Sequence, residues 1–149
     1  MSLRRLRSGE LIALAGAICL IVALALPWYD NGGKLTAWDT FGVAVALLIL
    51  AAVGAIALAI ATVTERTVAI PVAAGVWSTL FGIIGVIAAI VRLLERPEHA
   101  TEVCSGAWLA LAGALLVAAG SWQSVRDERT GTYPPDATPP RPAPPAGAR

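Results

Sequence analysis

The sequence predicts an all-α fold: a four-helix transmembrane bundle with both termini cytoplasmic and a disordered, Pro-rich C-terminal tail. Three observations predict it. Four apolar runs, 11–26, 41–63, 68–91 and 103–122, are each long enough, with their flanks, to cross a hydrocarbon core of ~30 Å at ~1.5 Å per residue. No Asp, Glu, Lys, Arg or His lies deep inside any of them. Of the 149 residues, 57% are hydrophobic and 14% charged, with a mean hydropathy of +0.73, whereas a soluble domain carries about a quarter charged residues. Within hydrocarbon every backbone polar group needs a partner in its own segment, so these runs are expected to be helices.

Residues 1–8 form a basic N-terminus holding Arg4, Arg5 and Arg7. The membrane domain spans 9–127, with helices expected at about 9–28, 38–63, 68–94 and 102–125. A signal peptide is the competing reading of the first run, which has a basic start and an Ala23-Leu24-Ala25 triplet. The length of the run and the interfacial Pro27-Trp28 favour an uncleaved helix.

In the loop after helix one, Asn31-Gly32-Gly33 supplies a turn tolerant of positive φ. It is placed to close a short hairpin between Trp28-Tyr29-Asp30 and Lys34-Leu35-Thr36. Thr36-Ala37-Trp38-Asp39 has capping-box spacing, which sets the start of helix two near Ala37. Only residues 64–67 join helices two and three, so these are expected to be antiparallel neighbours. Pro71 falls in the first turn of helix three, where its missing N–H costs little. From 128 to 149 lies the tail, with seven prolines in its last twenty residues. It lacks the apolar bulk to offset ordering entropy and is expected to have polyproline-II character. Its Pro139-Pro140-Arg141-Pro142 fits a PxxP ligand, with a flexible spacer as the plainer reading.

Positive charge sets the orientation. Arg4, Arg5, Arg7, Arg66, Arg126 and Arg129 flank one side, and Lys34, Arg92 and Arg96 the other. The expected placement is therefore multi-pass in a plasma (cytoplasmic) membrane, N-in/C-in.

Much chemistry is missing. A net charge of +1 gives no nucleic-acid surface. Glu10 precedes the first run with Arg7 three residues before it, which reads as an interfacial ion pair rather than a transport carboxylate. Cys19 and Cys104 form no Cys-x-x-Cys pair and read as packed thiols. His99 is alone in an outer turn, too little for a metal site. No nucleophile–base pair is recognisable, so no catalytic, cofactor-binding or metal residue is assigned and the chain is expected not to be an enzyme.

Contact surfaces are more legible. Trp28, Tyr29 and Trp38 bracket the outer loop and are candidate contact residues, with belt anchoring as the plainer reading. Trp108 and Trp122 suit the two ends of helix four. Trp77 sits near the middle of helix three, where it is expected to pack between helices. Gly106, Ala110, Ala114 and Ala118 form a small-residue stripe for close helix packing, within the chain or against a partner.

Leu26-Pro27-Trp28-Tyr29, followed by Thr36-Ala37-Trp38, resembles a recurrent group of small, uncharacterised four-helix membrane proteins of high-GC bacteria. There, Leu-Pro-Trp-Tyr ends helix one and Thr-x-Trp opens helix two. The resemblance covers the helical part and implies an architecture, with no activity or site residue to carry over. The expected function is a non-enzymatic structural or accessory component. Its partners would be the lipid bilayer and other membrane proteins or itself. The alternative is a small oligomeric transporter or channel for a neutral or apolar substrate.

Overall fold

A computed structural model describes residues 7–30, 33–39, 42–64, 69–95 and 102–129. The element order is α1 (Ser8–Ala25), β1 (Pro27–Asp30), β2 (Lys34–Thr36), α2 (Val43–Thr64), α3 (Ala69–Leu94), β3 (Glu102–Val103) and α4 (Ser105–Arg129). Among the described residues, four helices are long and apolar enough to cross a membrane. Residues 31–32 of the hairpin turn, the 65–68 link, His99 and the tail from 130 onward lie outside the described residues.

Each helix packs against its neighbours in sequence, and α4 closes the bundle against α1. The size of the side chains is distributed inside-out. Ala13, Ala17, Ala51, Ala55, Ala110 and Ala114 lie inside, while Ile18, Ile60, Ile87 and Leu115 point outward. Small interior residues let helices approach closely, and large exposed apolar ones suit a lipid solvent.

The tightest seam joins α1 and α4. A Cβ on Gly9 would lie 2.6 Å from the Ser124 nitrogen, and one on Gly120 would lie 2.4 Å from the Ala13 nitrogen. Gly9 and Gly16 on α1, and Gly106, Gly113 and Gly120 on α4, recur every seven residues. A seven-residue repeat keeps one face turned to its neighbour only if the helices coil left-handedly at 3.5 residues per turn.

The stripe of Gly106, Ala110, Ala114 and Ala118 is accordingly not one contact face. A four-residue step overshoots a full turn by ~40°, so such a row drifts around the helix. Gly106 lies under the Pro27 carbonyl, whereas Ala114 meets Gly85 and Ala118 meets Gly82 on α3. All three contacts are within one chain.

A sheet in the order β2-β1-β3 caps one end. β1 pairs antiparallel with β2 through Asp30 and Lys34, as the hairpin expectation requires. Its other edge pairs with β3 through Tyr29 and Val103, a strand the all-α expectation lacks. The start of α2 also differs. Thr36 and Asp39 do bond as a capping pair would, but they close a turn after β2, and the helix begins at Val43. α4 continues to Arg129, beyond the expected end at 125.

Candidate functional site

The expected contact surface at the sheet end is largely interior. Trp28 and Tyr29 are fully buried. The Trp28 indole Nε1 donates to the Ala23 carbonyl at 2.7 Å, and the Tyr29 hydroxyl donates to the Arg92 carbonyl. Their rings stand 6.5 Å apart. Gly106 leaves room for this arrangement, since a Cβ there would lie 2.7 Å from the Trp28 ring. The β1–β2 register shifts between Pro27 and Tyr29, which breaks the alternation of faces along the strand, so that both rings are buried where the sheet covers the helices. Trp28 and Tyr29 are therefore corrected from surface contacts to packing residues that tie α1, α3 and α4 together. Trp38 alone of the three is exposed, at 54%.

Beside Trp38, the Asp39 carboxylate accepts from the Thr36 backbone N–H at 2.7 Å and from the Thr36 hydroxyl at 2.8 Å. These bonds, the backbone one foremost, hold its pKa below the ordinary 3.8. A lateral groove of about 390 Å³ opens between α2 and α3 at this end, lined by Leu47, Ile84, Ile87 and Val91 with Arg92 and Glu95 at its rim.

The opposite end holds the polar interior. Glu10 is 1% exposed and accepts from the Arg7 backbone N–H and, at 2.8 Å, from the Ser124 hydroxyl. The expected Arg7–Glu10 interfacial pair is thus replaced. The Arg7 guanidinium donates to the Asp127 carbonyl, and the carboxylate turns into the α1–α4 seam. Gly9 beside it brings the Ser124 backbone close enough for this. One turn deeper, Ser78 and Ser121 bond at 2.7 Å across α3 and α4. Thr79 back-bonds to the Gly75 carbonyl at 2.8 Å. The signal for this cluster was Gly9-Glu10 set against Ser121 and Ser124, visible only once α1 and α4 are aligned antiparallel.

Trp77 is also corrected. It is 59% exposed, its ring tilted at 32° to that of Phe81 on the same helix with centroids 5.8 Å apart, while Ser78 takes the inward position. The α3–α4 register sets Gly75 by Val125, Ser78 by Ser121 and Gly82 by Ala118. Trp77 therefore shares a level with exposed Trp122. Trp108 is exposed near the other end of α4.

Among the described residues no group of three or more His, Cys, Asp or Glu could hold a metal. Cys19 and Cys104 are free thiols.

The fold and its two ends define a class: a small multi-pass membrane protein whose four helices close around a small-residue interior. Comparison with protein families, curated proteins and solved structures gives no match to this chain.

Proposed function

We propose that this chain is a non-enzymatic structural or accessory component of a bacterial plasma membrane that packs against other membrane proteins. One observation carries the reading. The buried polar residues Glu10, Ser78, Thr79, Ser121 and Ser124 are all engaged in bonds within the protein. Glu10, Ser78, Ser121 and Ser124 fasten helices to one another and Thr79 bonds within α3, whereas catalysis and ion transfer call for groups presented to a substrate. What faces outward is apolar helix surface, with Trp38 at the sheet end.

The small-residue contacts favour this reading over an oligomeric transporter or channel. Gly106, Ala114 and Ala118 are occupied within one chain, so they do not supply an interface between copies. The resemblance of Leu26-Pro27-Trp28-Tyr29 to small four-helix membrane proteins of high-GC bacteria supports such a component. The charge balance of the sequence supports an N-in/C-in orientation: Arg4, Arg5, Arg7, Arg66, Arg126 and Arg129 flank one side, against Lys34, Arg92 and Arg96 on the other. The sheet then faces outward.

Crosslinking in native membranes followed by copurification tests the role. A recurrent protein neighbour at near-stoichiometric yield is expected. Recovery of the chain alone, together with substrate flux in proteoliposomes, would overturn it in favour of a carrier.

A further inference from the structure

The α2–α3 groove has a shape and a charge pattern that the packing role does not use. Along α3 it runs from Ile84 to Glu95. That is ~16 Å at ~1.5 Å per residue, about half of a ~30 Å hydrocarbon core, the depth of one leaflet. Its lining is apolar until the last turn, where Arg92 and Glu95 stand three residues apart at the water end. The volume, about 390 Å³, lies in the range of small-ligand sites.

We propose that this groove holds one acyl chain of a zwitterionic phospholipid from the sheet-side leaflet. Its headgroup ammonium meets Glu95 and its phosphate lies toward Arg92. Two opposite charges at the rim match a headgroup that carries both signs. An anionic headgroup would satisfy Arg92 and be repelled by Glu95. Arg92 already interacts within the protein, and a guanidinium has five donors, so a phosphate adds to those contacts rather than replacing them. Glu95 is exposed just beyond the end of α3, within reach of an interfacial amine. The inference needs the bundle to lie in lipid. It does not need the accessory role, so a failed search for a protein neighbour leaves it standing.

The test uses the full chain, purified in detergent and exposed to equal amounts of phosphatidylethanolamine and phosphatidylglycerol before native mass spectrometry. One retained phosphatidylethanolamine per chain is expected. Glu95→Lys should lower its retention about two- to fivefold, the range for a single charge pair at a water boundary. Ala44→Phe, which fills the groove, should abolish it, with helix content followed by circular dichroism. If Ala44→Phe misfolds, Glu95→Lys decides alone. Equal or stronger retention of phosphatidylglycerol, retention unchanged by Glu95→Lys, or a lipid-free dimer overturns the proposal.

Discussion

Gly16 and Gly113 meet backbone to backbone across the α1–α4 seam. A Cβ on Gly16 would lie 2.7 Å from the Gly113 carbonyl oxygen and equally close to the Val117 nitrogen. Neither atom belongs to a side chain that can swing aside, so the helices themselves must part. Gly16→Ala is expected to cost about 1–3 kcal/mol, as overpacking of a close-packed interior does. Gly33→Ala serves as the control, because a Cβ there meets nothing within 4 Å. Thermal unfolding in one detergent should separate the two; equal midpoints would contradict the seam.

Ser124 supplies one of the two bonds that satisfy the buried Glu10 carboxylate. Ser124→Ala strips that donor from a buried acceptor and is expected to cost about 1–3 kcal/mol. Once Glu10 has been changed to Ala, the same Ser124→Ala substitution should cost much less. A double-mutant cycle measures this directly, and a coupling near zero would mean the bond contributes nothing.

Two tryptophans make opposite predictions. Trp28→Phe removes the buried donor to the Ala23 carbonyl and should destabilise by about 1–3 kcal/mol. Trp77→Phe alters an exposed ring and should stay within about 0.5 kcal/mol. Single-tryptophan variants retaining Trp77 or Trp122 should show the same depth of fluorescence quenching by brominated lipids. Different depths of quenching for Trp77 and Trp122 would refute the α3–α4 register.

Asp39 gives a pH dependence with a definite sign. Its folded pKa lies below the ordinary 3.8, so the Thr36–Asp39 turn keeps its full stabilisation above pH 3.8. That stabilisation is lost as the pH falls through the lower folded value. Thr36→Val removes the hydroxyl donor but keeps the backbone N–H, so Asp39 should titrate closer to 3.8 without reaching it. Carboxyl-resolved NMR titration checks this.

The sequence announced some features and hid others for identifiable reasons. Uncharged runs reveal membrane helices because hydrocarbon excludes charge along an entire segment. Asn31-Gly32-Gly33 revealed the β1–β2 hairpin because turn chemistry is local. β3 stayed hidden because Glu102-Val103 becomes a strand only beside β1, far away in the chain. Thr36 and Asp39 made the bond their spacing implies, yet spacing alone does not say whether a helix follows. Glu10 read as interfacial because its burial depends on Gly9 and on helix α4. Trp28 and Tyr29 read as exposed because an aromatic at a helix end faces water unless a second loop covers it.

β1 is the middle strand, and its neighbours come from loops separated by two crossings of the bilayer. During synthesis β2 emerges almost at once, whereas β3 exists only after α2 and α3 have been translated and inserted. The central strand must therefore wait with one edge unpaired, and the sheet that caps this end is completed late in biogenesis. A ribosome stalled before Glu102 would hold a hairpin without its final strand, a state in which that edge is open to quality-control factors.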